Sequence, residues 1–151
     1  MSEFLPWPAR TDTAEGAAAW LAPYETGDEG RVVAAGAWHG DELVGGIVLF
    51  RHDPAAATVE LGCWVTAPAE GTGVVRAACV EGLRTARDEL RAERVTWQCD
   101  PRNERSFGLA RRVGFVHEGT LRSAYVLRGE RTDVAVLGLV GGEIDRAVSG
   151  S

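Results

Sequence analysis

The sequence predicts a mixed α/β (α+β) domain: a mostly antiparallel sheet containing one parallel strand pair, with helices on its flanks. Three observations carry this reading. Short apolar, β-prone runs separated by turn residues follow one another before residue 66, which gives antiparallel strands. A β-rich run (Val59, Leu61, Trp64, Val65), punctuated by Pro68, passes through Gly71-Thr72-Gly73 into an Ala- and Val-rich segment with a helical period. A further short β-prone run follows that helix, and a right-handed crossover makes it parallel to the run before the glycines.

Taken in order, residues 4–10 are extended and stiffened by Pro6 and Pro8. Asp12 with Glu15 three residues on makes a capping box for a helix whose apolar positions are Ala17, Ala18, Trp20, Leu21 and Tyr24, and which frays near Pro23. Residues 26–30 form a polar loop. Residues 32–38 and 43–50 read as two strands of a hairpin joined by His39-Gly40-Asp41-Glu42, and after the Asp53-Pro54 turn residues 58–66 read as a third strand. Beyond the glycines, Val75, Ala78, Cys79, Gly82, Leu83, Ala86 and Leu90 recur at three- and four-residue steps, an amphipathic helix of about five turns. Residues 94–99 form the next strand, ended by Asp100-Pro101. Asn103 opens a second helix through Arg112, with Gly114 as a left-handed C-terminal cap. Residues 115–120, 125–127 and 134–140 follow as strands, the last two joined across Arg128-Gly129-Glu130. The Gly-rich stretch 141–151 is expected to be a flexible, frayed tail. One domain then spans residues 1–151, with residues 1–30 as its N-terminal helical segment.

Composition narrows the function. With 151 residues, 45% hydrophobic, and five tryptophans, one domain has enough apolar material for a core. Net charge is −6, and all sixteen basic residues are Arg, interleaved with acids as in Arg84, Arg87, Asp88, Glu89, Arg91, Glu93 and Arg94. That pattern is a solvated face and argues against nucleic-acid or membrane-surface binding. No apolar run of about eighteen residues exists, and the N-terminus has no basic segment followed by an apolar one, so a cytoplasmic location is expected. Cys63, Cys79 and Cys99 are odd in number, with no CxxC spacing and no nearby His. They read as reduced, buried thiols, and no metal site is expected.

The order strand, glycine loop, helix favours an anion. Glycines let backbone N–H groups turn inward without a Cβ clash, and the first helical turn adds unpaired donors and the positive end of its dipole. A phosphate or pyrophosphate fits such a place; a plain tight turn is the alternative. Two adjacent parallel strands whose helices both begin at their C-terminal ends also leave a crevice there, with the glycine loop on its lip.

Four motifs in this order and spacing, Glu60-Leu61-Gly62-Cys63-Trp64-Val65, Glu70-Gly71-Thr72-Gly73-Val74-Val75, Asn103-Glu104-Arg105-Ser106 and Arg112 through Arg122 with Gly114-Phe115, resemble the GNAT superfamily of acetyl-CoA-dependent N-acetyltransferases. The likeness covers roughly residues 4–140 and is to the RimL-like branch, whose members acetylate protein N-terminal amines and also small amines. It implies the GNAT fold, in which the central parallel strands splay and the pantetheine arm of acetyl-CoA inserts between them, leaving CoA as product. By the same likeness the pantetheine bonds backbone around Trp64, Val65 and Thr66, and the pyrophosphate sits on Glu70, Gly71, Thr72, Gly73, Val74 and Val75. Three positions depart from the superfamily pattern. Glu70 stands where Gln or Arg is usual, and is expected to face solvent while its backbone serves the ligand; Val75 is bulkier than the usual Gly or Ala. Ala110 occupies the place of the Tyr that protonates the leaving thiolate in many members, and the RimL-like alternative is Ser106.

Acetyl transfer needs a neutral amine, donors for the oxyanion and a proton for the thiolate. An α-amine titrates at about 8 and a thiol at about 8.5, so modest base assistance suffices. Glu60, acting through a water, is the candidate base, a role the resemblance also implies; the other reading is an ordinary strand Glu facing solvent. Asn103 reads as an N-cap and, by resemblance, as a pantetheine ligand, and the two roles are compatible. Ser106, at i+3 on the same helix face, is either a helix-start residue or the general acid beside the sulfur. The oxyanion would meet a backbone N–H near Trp64 or Val65. His39, His52 and His117 read as bystanders. The five tryptophans read chiefly as core, with Trp7 and Trp38 as candidate acceptor-pocket residues, and the resemblance implies that Arg122 and Tyr125 border the acceptor. RimL-like proteins carry a further first strand ahead of the segment like residues 4–8; either the true start lies upstream, or strand 32–38 is left at a sheet edge, in which case a homodimer or a swapped element is expected. The amine acceptor is a protein N-terminus or a small molecule. The rival reading is a catalytically weak or inactive GNAT-fold module that binds CoA or a protein partner.

Overall fold

Residues 14–27 and 30–150 are described by the computed structural model. Helix α1 (Ala14–Thr26) continues through Pro23, where the sequence predicts fraying. Three residues from the helix end a proline has little hydrogen-bond ladder left to disrupt, and Thr26 Oγ1 lies 3.4 Å from the carbonyl oxygens of both Ala22 and Pro23. The extended stretch 4–10, with Trp7, and the Asp12 cap lie outside the described residues.

Strands β1 (Val33–His39) and β2 (Glu42–Asp53) form the expected hairpin, closed by a two-residue turn in which Gly40 has φ 60°. Strand β3 (Thr58–Val65) pairs antiparallel with β2, from Asp53↔Thr58 to Gly45↔Val65. The glycine loop leads into α2 (Val74–Asp88), whose Gly82 lies so close to the sheet that a Cβ there would stand 3.3 Å from the Cδ1 atoms of Ile47 and Leu61. Strand β4 (Arg94–Cys99) is parallel to β3, as the crossover predicts. Helix α3 (Glu104–Val113) follows and ends on Gly114 at φ 119°.

The C-terminal third departs from the sequence reading. Residues 116–127 form one strand, β5 (Val116–Leu127), rather than two. Its pairing with β6 (Glu130–Val140) breaks between Leu121 and Tyr125, where Ser123 adopts φ 50° and its N–H donates to Asp133 Oδ1 at 2.8 Å. A bulge tied by a side chain on the partner strand therefore replaces the predicted interruption. The expected frayed tail is instead helix α4 (Gly142–Ser149), with Ile144 and Val148 buried and Ala147 packed on the core. An i, i+3, i+4 apolar stripe finds a surface to cover, and that burial outweighs the two glycines before it.

The sheet order is β1-β2-β3-β4-β6-β5, so β3 and β4 are the central neighbours and the single parallel pair among the described strands. This is the predicted mixed architecture. The core lies between the sheet and α2, α3 and α4, with Leu49, Leu61, Leu83, Val95, Trp97, Leu137 and Leu139 at its centre. Among the described strands β1 lies at an edge of the sheet, as expected.

Candidate functional site

The β3–β4 ladder is three pairs long, Thr58↔Arg94, Val59↔Val95 and Glu60↔Thr96, and then stops. Strand β3 nevertheless stays on β2 as far as Val65, and β4 stays on β6 as far as Cys99. The strands therefore part beyond Glu60 and Thr96, leaving a gap toward their C-terminal ends. This is the splay.

Side-chain alternation sorts the residues around the gap. Leu61 meets α2, so Val59, Leu61 and Cys63 share that face; Val95, partnered with Val59, and Trp97 share it too. Gly62, flanked by Val48 and Phe50, faces the other side with Glu60 and Trp64. The indole of Trp64 covers Gly46, where a Cβ would stand 2.8 Å from Nε1.

On the lip of the gap, Thr66 N–H donates to Val44 O, and a single 3₁₀ turn (Ala67–Ala69) containing Pro68 ends at Glu70. Gly71 and Gly73 adopt φ 78° and 88°, so their need for glycine is conformational, and a Cβ at either would meet nothing within 4 Å. Gly73 caps α2 without any side-chain hydrogen bond. Thr72 Oγ1 lies 3.5 Å from the first helical N–H, that of Val74, and Thr72 N–H donates to Ala69 O at 3.3 Å, so the donors that remain for a phosphate on this lip are the other N–H groups of the loop and first helical turn. Val75 packs against the core, which absorbs the bulk that departs from the usual pattern. Glu70 does not face solvent as expected. Both its carboxylate oxygens lie 2.7 Å from Arg105 Nη1 in the first turn of α3, and its side chain is only 28% exposed.

On the α2 side of the gap, Asn103 caps α3, its Oδ1 accepting from Ser106 N–H at 3.1 Å. That is the capping role read from the sequence. The hydroxyl of Ser106 accepts from Trp97 Nε1 at 3.0 Å. Indole N–H is a donor only, so Ser106 keeps its own proton to give away. Burial holds the Cys99 thiol above its ordinary range, and the neighbouring Ser106 hydroxyl opposes that lift without cancelling it. Cys63 is pushed well above the ordinary thiol range, first by its hydrogen bond with Cys79 and then by burial. The three cysteines are free thiols, as predicted, and converge under the gap. A raised thiol pKa makes a poor nucleophile, which argues against Cys63 and Cys99 in that role. Ala110 is fully buried.

On the opposite face Glu60 is 8% exposed, and its Oε2 accepts from Arg51 Nη1 at 2.7 Å. The solvent-facing reading of Glu60 is thereby excluded. Burial lifts its carboxyl above the ordinary range, and Arg51 opposes the lift through charge and hydrogen bond without cancelling it. Arg51 sits at a break in β2–β3 pairing with φ 52°, its guanidinium 5.5 Å from the centre of the Phe50 ring. Glu60 and Ser106 flank the gap from opposite faces of the sheet.

The three described acceptor-side candidates are not brought together. Trp38, 59% exposed, lies on edge strand β1, whereas Arg122 and Tyr125 are exposed on edge strand β5. The β5–β6 hairpin does extend past Cys99, the last β4 residue, on the gap side. His39 is exposed on the hairpin turn, His52 follows the β2 irregularity, and His117 stacks edge-on against Phe107 at 5.2 Å. None of them bonds Glu60 or Ser106 among the described residues. Sequence reasoning missed Trp97, Arg51 and Arg105, the partners that hold Ser106, Glu60 and Glu70. Contacts between separate elements leave no periodic trace.

Residues 1–116 match the acetyltransferase (GNAT) domain family. The chain belongs to this family. The Bacillus subtilis (strain 168) protein YdaF, provisionally named a ribosomal N-acetyltransferase, is 31% identical over 108 residues, 72% of this chain and 59% of that one. The ribosomal-protein-serine acetyltransferase of Escherichia coli (strain K12) is 31% identical over 94 residues, 62% of this chain and 52% of its own length. Both likenesses are to the RimL-like branch of the GNAT family. The chain spans a little over half the length of these two relatives. A solved structure from T. thermophilus, provisionally named an acetyltransferase, superposes with a TM-score of 0.84 at 32% identity over 98% of this chain and 78% of that one. The GNAT fold is the one observed.

Proposed function

We propose that this GNAT domain is an acetyl-CoA-dependent N-acetyltransferase that acetylates a primary amine by direct attack in a ternary complex. The observation that carries this reading is Ser106: capped by Asn103, oriented by the Trp97 indole, and holding a donatable proton on the wall of a gap whose lip is an uncapped helix start. When bound, acetyl-CoA supplies an activated acyl group as a thioester.

The remaining work falls to the chain. The N–H groups of residues 71–75 would hold pyrophosphate beside the backbone of Glu70, with those of Thr72 and Val74 first leaving their contacts to Ala69 O and Thr72 Oγ1. Trp64 and Val65 would offer backbone to the pantetheine and an N–H to the carbonyl oxygen, whereas the Thr66 N–H and carbonyl are already bonded to Val44 O and Ala69 N. Asn103 bonds the arm from the other side. Glu60, acting through a water on the far face, takes the proton from the amine as it attacks. Ser106 gives its proton to the departing sulfur. Burial raises the Glu60 carboxyl above the ordinary range, which makes its carboxylate form a stronger base than an ordinary one.

The relatives' names concern ribosomal proteins, which favours a protein N-terminal α-amine over a small-molecule amine as acceptor, with Arg122, Tyr125, Trp38 and Trp7 as candidate acceptor contacts. No helix among the described residues is long and apolar enough to cross a membrane, and a cytoplasmic location is proposed. A homodimer through edge strand β1 is proposed as well; light scattering that shows a folded monomer at high concentration would remove it.

The test is acetyl transfer to an amine-terminated peptide, with acetyl-CoA binding measured alongside. Ser106→Ala and Glu60→Gln should lose turnover while keeping the cofactor. A second reading, a GNAT module that binds CoA or a partner without turnover, draws on the Glu70 carboxylate on the lip and on Ala110 in place of a tyrosine. Binding without turnover in the wild-type protein would select it.

A further inference from the structure

Glu70 is a carboxylate at the place where the proposed cofactor brings two negative charges, and an unscreened carboxylate there would repel them. Its surroundings answer the problem. Glu70 immediately precedes Gly71, and Arg105 reaches it from the first turn of α3, thirty-five residues along the chain. A single nitrogen, Nη1, serves both carboxylate oxygens at 2.7 Å. Arginine carries five N–H donors in a planar fork; among the described residues Nη2 and Nε meet no acceptor. The Arg105 side chain is 75% exposed, so as a bond the pair contributes little to stability. What it fixes is position. Of the other charges at the start of α3, Arg102 is taken up by Asp100 at 2.6 Å and Glu104 is an exposed acid; Arg76, in the first turn of α2, borders a separate hollow with Arg112, Glu143 and Arg146.

We infer that Arg105 is a cofactor-phosphate ligand, held over the glycine loop by Glu70, and that Glu70 is a positioning residue rather than a defect of the loop. The positive charge that an Arg at the Glu70 position would place on the loop itself is carried here by the neighbouring helix. With Nη1 on Glu70, the Nη2 and Nε edge is left for pyrophosphate oxygens, in the two-pronged geometry guanidinium favours. The charge of Glu70 is screened by the same group. This inference rests on the acetyl-CoA reading above and assigns two more of the chain's residues to that site.

The experiment is a tryptophan-fluorescence titration of wild-type protein and Arg105→Gln with three probes: CoA, 3′-dephospho-CoA and pantetheine. The variant should weaken CoA and 3′-dephospho-CoA alike, by about tenfold at low salt and by less at ~0.5 M salt, because the lost contact is charge-assisted and screened. Pantetheine, which has no phosphate, should bind both proteins equally. Arg105→Lys should recover part of the loss, since it restores charge without the fork. Unchanged CoA affinity in Arg105→Gln overturns the inference, as does an equal loss with pantetheine, which would mean general damage. A loss seen with CoA but not with 3′-dephospho-CoA overturns the pyrophosphate assignment. If wild-type protein binds no CoA at millimolar concentration, the acetyl-CoA reading itself falls, an outcome distinct from a wild type that binds and a variant that binds as well.

Discussion

At the N-terminal end of the β3–β4 pair, residues 58 and 59 lie against 94 and 95 and their side chains are enclosed; Glu60, paired with Thr96, is where the open end begins. Val59, Val95 and Leu139 are buried, Arg94 is clasped by Glu118, and backbone bonds from Glu93 N to Ala57 O and from Gly141 N to Glu93 O tie the crossover and α4 to the strand ends. At the C-terminal end the same two strands separate. Ser106 keeps a donatable proton there, two glycines hold left-handed backbone, and α2 begins without a side-chain cap. The contrast teaches a division of labour: one end closes its ladder and buries its carbon, so that the other can leave donors uncommitted. Unmet groups at the open end cost stability that the closed end supplies.

The largest test of the contrast strikes the closed end. Leu139→Ala, which removes a fully buried side chain opposite Val95, should cost about 2–5 kcal/mol and lower Tm markedly. Cofactor affinity measured well below that Tm should stay within about threefold of wild type, because the lost contacts lie away from the gap. An unchanged Tm would show that the closed end does not carry the stability.

Next comes the open end. Glu60→Gln should lower turnover by about a hundredfold and flatten the acidic limb of the pH–rate profile. In the wild type that limb reflects Glu60 losing its proton, and because burial holds the carboxyl high it should lie above the ordinary carboxylate range. A wild-type limb retained by the variant would remove Glu60 as the base.

The smallest effect is on stability against pH, where the two ends should slope oppositely. Glu118 is held below its ordinary 4.5 by Arg94, so its contribution is present above that value and lost as pH falls through the depressed one. Both side chains are about a third exposed, so the contribution is below about 1 kcal/mol. Glu60 is raised, so its contribution is present below 4.5 and lost as pH rises through the higher folded value. Chemical denaturation across the acid range should show Arg94→Gln removing the first slope and leaving the second. An acid slope unchanged by Arg94→Gln would show that the clasp adds nothing.

Much of this was legible in the sequence, and the reasons are local. The step pattern of Val75, Ala78, Cys79, Gly82, Leu83 and Ala86 announces α2, and Asn103 with Gly114 brackets α3 almost to the residue. The glycine pair marks the lip of the gap. Helix α4 was missed because Gly141 and Gly142 mask the stripe of Ile144, Ala147 and Val148, which alone would have revealed it. The bulge in β5 depends on Asp133, a residue of the next strand. Of the candidate site, residue types and spacing give the Asn103 cap with Ser106 on the same helix face, and the resemblance assigns Glu60, Asn103 and Ser106 their roles, but the partners Arg51, Trp97 and Arg105 come from other elements. Pairings of that kind are set by the fold as a whole.

The central claim is that the open end transfers an acyl group with Ser106 as proton donor. The most direct measurement is single-turnover acetyl transfer from acetyl-CoA to an amine-terminated peptide by wild type and Ser106→Ala, at saturating cofactor. A hundredfold or greater loss of the transfer step, of the order expected for a missing general acid, with unchanged acetyl-CoA affinity, is the predicted result. Equal rates in the two proteins, or no transfer by wild type despite saturable binding, would contradict it.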